Sequence, residues 1–203
     1  MKDETAGKCP FGFGSDDGAA PAGVKAPTQD GDTGYRHMGM ATGLSRDKLP
    51  ELRREPIEPG ADGLATGRCL CGKVSFQIKR PVSMVFANHD APSRRRSGGV
   101  AFTVMIRATN TAFSGWGHLV HYAMSERDTS CFCRVCGTPM FVRHVQPAAM
   151  DGMISLSAGA LDDPDGLHLA ADLCADEKPE YYTFEGERRE ISSADVETMF
   201  ASR

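Results

Sequence analysis

The stretch Gly67-Arg68-Cys69-Leu70-Cys71-Gly72-Lys73-Val74-Ser75-Phe76 decides how this chain is read. Two cysteines separated by one residue stand just before an alternating run, in which Val74, Phe76 and Ile78 interleave with Ser75, Gln77 and Lys79. Side chains at i and i+2 of an extended chain share a face, so Cys69 and Cys71 offer two sulfurs to one side at the start of a half-buried strand. Far downstream, Cys133-Arg134-Val135-Cys136-Gly137 forms a second pair at a turn spacing, with the glycine relieving backbone strain. Four soft thiolates suit tetrahedral zinc, and a closed four-cysteine site is structural rather than catalytic. The spacing therefore predicts one structural zinc on Cys69, Cys71, Cys133 and Cys136. Cys131 alternates onto the face of Cys133 and competes with it as a ligand. Disulfides or four free buried thiols are the other readings of these residues.

Outward from the first pair, period-two alternation predicts strands at 73–80, 82–87, 100–107, 119–124, 130–133, 140–145 and 153–157, with Gly, Pro, Asn and Asp marking the breaks. No long amphipathic helix is visible. Ser192-Ser193-Ala194-Asp195 offers an N-cap and an acidic first turn for a short terminal helix over 194–200. The fold class expected is mainly β, built of short antiparallel strands and stapled by metal. Residues 1–63 are rich in Gly, Pro, Asp and Ala and lack alternation, which predicts an irregular N-terminal arm. Within it, Cys9-Pro10-Phe11-Gly12-Phe13-Gly14 is a locally apolar docking segment, and 44–49 suit one helical turn before Pro50. The division expected is an arm at 1–63, a zinc-binding β domain at 64–190 and a helical tail at 191–203.

Composition narrows the partners. The chain has 203 residues, 40% of them hydrophobic and 25% charged, with a net charge of −4. That balance fits one soluble domain and gives a polyanionic nucleic acid no basic surface to meet. No apolar run approaches a membrane span, and residues 1–18 lack the apolar core of a secretory signal, which points to the cytoplasm. Exposed edges of short strands would favour a homodimer.

Taken together, the two cysteine pairs, Phe132-Cys133-Arg134-Val135-Cys136-Gly137-Thr138, Gly159-Ala160-Leu161-Asp162-Asp163-Pro164 and Asp176-Glu177-Lys178-Pro179-Glu180-Tyr181-Tyr182 resemble the glutathione-dependent formaldehyde-activating enzyme family, which includes centromere protein V-like domains. The resemblance spans about Gly67 to Tyr182. It implies a β-tent-like stack of small sheets around a structural Zn2+, a carbon–sulfur lyase activity, and a small-molecule substrate such as a glutathione or other thiol adduct.

One segment departs from that pattern. Where the family carries three cysteines for a second, catalytic zinc, this chain has Asn88-His89-Asp90-Ala91-Pro92-Ser93-Arg94, followed by Ser97-Gly98. Asn and Ser are weak neutral ligands beside thiolates. A second tight zinc is therefore not expected, and a harder ion on Asp90 oxygens and water is the alternative. The resemblance implies that this loop faces the substrate cleft. Asp90 and His89 are then candidate general base and acid, with Ser93 beside them and Arg94 placed to hold an anionic group. Isomerisation, epimerisation or dehydration without a metal is the second functional reading. A non-catalytic, zinc-stabilised binding module is the third. Among the remaining residues, His144 reads as a partly buried strand residue, and Trp116 as a ligand platform or a core cap.

Overall fold

In the computed structural model, residues 53–125, 127–144 and 150–201 are described. They run β1 (Leu64–Arg68), β2 (Ser75–Lys79), β3 (Met84–Asn88), α1 (Ala91–Ser97), β4 (Ala101–Arg107), β5 (Thr111–Ser114), β6 (Leu119–Ala123), β7 (Asp128–Cys133), β8 (Pro139–His144), β9 (Met153–Ser157), β10 (His168–Leu173), β11 (Arg189–Ile191) and α2 (Ser193–Ala201). The mainly β class follows from the alternation, and each of the seven expected strands has its counterpart among β2–β4 and β6–β9. Cys9, the turn at 44–49 and most of the expected arm lie outside the described residues.

Two sheets share the core. β1, β2 and β5 form an antiparallel three-stranded sheet, in which Phe76 opposes Gly67 on one side and Phe113 on the other. The larger sheet has the order β11-β10-β3-β4-β9-β8-β7-β6. β10 runs parallel to both β3 and β11, while the other neighbours in this sheet are antiparallel. Phe113 of the small sheet meets Phe141 of β8 at 4.8 Å between ring centroids, the tilted geometry aromatic pairs favour. Ile78, Val74, Val104, Met140, Ile154 and Leu156 complete this interior, all at 0–1% exposure. Truncating any of its large members would leave a cavity costing about 2–5 kcal/mol.

Neighbouring chain segments approach closely enough to demand glycine at two places. A Cβ on Gly67 would lie 2.1 Å from the Phe76 ring and 2.3 Å from the Ala160 carbonyl oxygen. Gly115 has φ +76°, and its Cβ would lie 1.8 Å from the Lys73 carbonyl oxygen. Positive φ and contact with backbone together exclude a side chain there.

Of the elements that the alternation does not announce, two bear on the site. β10 is His168-Leu169-Ala170-Ala171-Asp172-Leu173, whose fully buried position is an aspartate. A charge at a core position hides a strand from pattern reading. The second is α1, which replaces the polar loop expected around Asn88–Ser93. Asp90 caps it by accepting from the Ser93 N–H at 2.8 Å, a proline occupies the first turn, and Gly98 closes it in the left-handed region at φ 73°. Those are standard start and stop signals.

In β8 and β9 both faces are covered. On one, Phe141 and Leu156 pair across strands and join the interior. On the other, Val142 opposes Ser155, and Ser155 opposes Met105. Asp128 opposes His144 on this same face one strand further along. The second face looks into a cavity, closed in part by Pro92, Ser93 and Arg96 of α1 and by Val196 and Glu197 of α2.

Candidate functional site

Cys69, Cys71, Cys133 and Cys136 place their sulfurs within 4.8 Å of one another. Cys69 and Cys71 are 3.6 Å apart, and Cys71 and Cys133 are 3.8 Å apart. A tetrahedron with metal–sulfur bonds near 2.3 Å has edges of about 3.8 Å. The donors fit a cation chemically as well. The Val74 N–H points at the Cys69 sulfur at 3.2 Å, and the Thr138 hydroxyl lies 3.2 Å from that of Cys136. Hydrogen bonds from the Thr138 hydroxyl and N–H lower the Cys136 thiol to about 5. At Cys71 the Lys73 N–H acts in the same lowering direction, but desolvation and the three neighbouring sulfurs outweigh it and push the thiol up to about 12. Four thiols at this spacing cannot all ionise without a positive charge among them. The cluster is thus built to hold a metal ion. Cys131 takes no part: its sulfur lies 3.3 Å from Nδ1 of His121, and burial raises its pKa far above the ordinary thiol value.

The four residues expected at the cleft separate into two groups. Asp90 and Ser93 line the cavity, and so does Asn88. His89 does not. Its imidazole is fully buried, with Nδ1 2.6 Å from the Tyr182 hydroxyl and Nε2 3.4 Å from Asp172 Oδ1. Adjacent residues on an extended segment point opposite ways, so facing Asp90 to the cavity turns His89 into the interior. Arg94 is likewise committed elsewhere. Its Nη1 donates to the backbone carbonyls of His89 and Glu177, which ties α1 to the turn after β10. The expected pairing of His89 with Asp90, and Arg94 as the anion holder, therefore gives way to different neighbours. Asn88 is also engaged: Nδ2 donates to the Ala101 carbonyl and to Thr103 Oγ1, each at 2.9 Å.

The cavity measures about 620 Å³, within the range of small-molecule sites. A second lobe of about 530 Å³ shares Pro92, Arg96 and Met124 with it and adds Tyr122, Phe132 and Pro139. Arg96 stands between the lobes. Among the described residues its Nε and Nη1 are buried without a hydrogen-bond acceptor. Burial lowers its pKa from the ordinary guanidinium value, and the Asp90 charge opposes that shift. A guanidinium lining both lobes is suited to an anionic or strongly dipolar guest.

The chemistry on the opposite wall has no local signature in the sequence. His144 Nδ1 is 2.7 Å from Asp128 Oδ1, and its Nε2 is 2.8 Å from Ser155 Oγ. The three residues come from adjacent strands β7, β8 and β9 and all line the cavity. Only strand register brings them together, so no local motif announces them. Cys174 also borders the cavity, half-buried at a left-handed position with φ 53°. Trp116 donates Nε1–H to the Phe113 carbonyl at 2.7 Å and packs edge-on against that ring, which makes it a core cap.

Among the described residues, no helix is long and apolar enough to cross a membrane. No curated protein matches the chain. A crystal structure of a Rhodobacter sphaeroides protein is similar at 19% identity and a TM-score of 0.41, covering 48% of this chain and 87% of that one. The model of the glutathione-dependent formaldehyde-activating enzyme family matches residues 64–176, more than half the chain and inclusive of both cysteine pairs. With four thiols gathered at the positions the two pairs predict, the chain belongs to the glutathione-dependent formaldehyde-activating enzyme family.

Proposed function

We propose that this protein is an enzyme of the family that keeps a structural zinc and has exchanged metal chemistry at its second centre for proton transfer. Cys69, Cys71, Cys133 and Cys136 would hold the zinc, which when bound fixes the two cysteine loops to each other. The observation that carries the reading is the state of the segment between the pairs. Asn88, Asp90 and Ser93 stand where the resemblance places thiolate ligands, and all three line the 620 Å³ cavity. The Asn88 side-chain amide is bound into the frame by its own hydrogen bonds, and the Ser93 backbone N–H donates to Asp90 Oδ1. Asp90 supplies a carboxylate, Arg96 a cation, and His144 an imidazole to one chamber. That set suits acid–base work on a small anionic molecule, with Asp90 as base and His144 in the role first expected of His89. A glutathione or other thiol adduct is the substrate class that family membership suggests, and cleavage of its carbon–sulfur bond is the corresponding lyase reaction. The charged, roomy chamber favours catalysis over the alternative of a zinc-stabilised binding module.

The test combines metal analysis with a metabolite screen on the wild type and on Asp90→Ala. The expected result is one tightly held zinc per chain and turnover that falls at least 100-fold in the variant. Two tight zinc ions, or full turnover by Asp90→Ala, would refute the reading.

A further inference from the structure

We infer that Ser155, His144 and Asp128 form a nucleophile, base and orienting carboxylate, and that the cavity hydrolyses small carboxylic esters through an acyl-serine. This goes beyond the proton-transfer reading and rests on it in one respect, that the cavity is where substrate binds. Geometry supports each assignment. An ionised carboxylate only accepts, so the 2.7 Å contact to Asp128 Oδ1 places the imidazole proton on Nδ1. When the ring is neutral, Nε2 carries the lone pair, and the Ser155 hydroxyl 2.8 Å away is the donor that faces it. A hydroxyl whose proton is already directed at an imidazole, itself oriented by a carboxylate, is the activated form of a serine nucleophile.

The surroundings match the role. The carboxylate is 35% exposed and the imidazole 17%, while Ser155 is 7% exposed, so solvent reaches the relay from its acidic end. All three side chains face the chamber rather than the interior. Arg96, on the lid formed by α1, lines the same chamber, and a guanidinium there is suited to a carbonyl oxygen that gains negative charge. The second lobe, walled by Tyr122, Phe132 and Pro139, offers an apolar berth for the rest of an ester.

The reaction balances without a redox partner. Ser155 Oγ bonds to the acyl carbon while its proton passes to His144 Nε2 and the carbonyl π pair moves onto oxygen. When that oxyanion collapses, the bond to the leaving oxygen breaks, and the proton on Nε2 goes with the departing alkoxide to give an alcohol. Water then attacks the acyl-serine, gives its proton to Nε2, and releases the carboxylic acid as the proton returns to Ser155.

The experiment uses the full chain, a fluorophosphonate probe and p-nitrophenyl acetate. The folded wild type should gain one phosphonyl adduct, mapped by mass spectrometry to the peptide holding Ser155, and should hydrolyse the acetate. Asp128→Asn and His144→Gln should each slow labelling at least 100-fold, with unchanged circular dichroism. An unlabelled Ser155 in folded wild type, or an undiminished labelling rate in folded His144→Gln, overturns the inference. Wild-type labelling needs no variant to fold, so the proposal is decided even where a substitution fails. The two readings also part cleanly. One zinc and an Asp90-dependent turnover with Ser155 unlabelled keeps proton transfer and removes the serine. Labelled Ser155 with an indifferent Asp90 does the reverse.

Discussion

Among the described residues stand two aspartate–histidine pairs, and their settings could hardly differ more. Asp172 and His89 lie in the interior at 0% exposure, 3.4 Å apart. The carboxylate is answered by cations: Arg188 Nε donates to it at 2.9 Å, and the Lys178 ammonium sits at 3.7 Å. Tyr182 and Phe184 rings close over the imidazole at 5.7 and 6.1 Å. Asp128 and His144 stand instead on the wall of a chamber, with Ser155 against the far ring nitrogen as Tyr182 lies against that of His89. A buried carboxylate ringed by cations is a fixed joint, because neither charge can leave without exposing the other. A partly solvated carboxylate whose histidine points at a hydroxyl has a proton free to travel. The same two side chains thus make a sealed joint in one place and stand on a solvated wall in the other, and the difference lies in what surrounds the carboxylate, since the far nitrogen of each ring meets a hydroxyl.

The bluntest way to probe that contrast removes the frame both pairs share. Stripping the metal with a strong chelator should abolish the cooperative unfolding transition, since structural zinc sites contribute on the order of 10 kcal/mol. Differential scanning calorimetry with and without added zinc reads this directly, and an unchanged transition would show that the thiol cluster does not carry the fold. Next in size is Asp172→Ala. It strands Arg188 and Lys178 beside a buried void and should cost about 3–5 kcal/mol in urea unfolding, while the folded fraction still labels at Ser155. A loss below 1 kcal/mol would make the interior pair as dispensable as the chamber pair.

Asp128→Asn sharpens the comparison from the other side. Its carboxylate is 35% exposed, so stability should change by no more than about 1 kcal/mol. Esterase turnover should nevertheless fall by about 100- to 10,000-fold, as expected when the orienting carboxylate of such a relay is neutralised. The smallest effect concerns the lid of the interior pair. Desolvation, with the neighbouring Tyr181 adding to it, raises the Tyr182 phenol above its ordinary value of 10. A raised folded pKa favours the protonated fold. Its stabilisation is complete below pH 10 and is lost as pH climbs through the higher folded value. The ultraviolet difference titration between wild type and Tyr182→Phe should place this phenol later than a free tyrosine, and an ordinary midpoint would mean that the pair is not sealed.

How much of this was legible beforehand depends on range. Alternation in Val74, Phe76 and Ile78 reveals β2, and the cysteine spacing reveals the metal cluster, because both signals are local. The caps of α1 were equally local, in Asp90, Pro92 and Gly98, yet expecting a cleft loop there concealed the helix. His144, Asp128 and Ser155 could not be grouped from sequence, since their contacts are set by which strands neighbour which. Asp172 conceals β10 for a related reason: a charged residue reads as surface until Arg188 and Lys178 are seen beside it. Asp90 is legible as a cavity residue, whereas the imidazole of its neighbour His89 turns into the interior.

The separation of the two thiol pairs sets a timetable for birth of the protein. Cys71 and Cys133 are 62 residues apart, so a ribosome finishes the first pair several seconds before it delivers the second, at roughly 5–20 residues per second. During that interval the nascent chain carries two ligands and no closed cage. An ion captured early is held by half its eventual grip and can be lost again, and two neighbouring thiols stand open to oxidants. Yield in a living cell should therefore respond to zinc supply and oxidative stress during translation, even where the finished protein tolerates both.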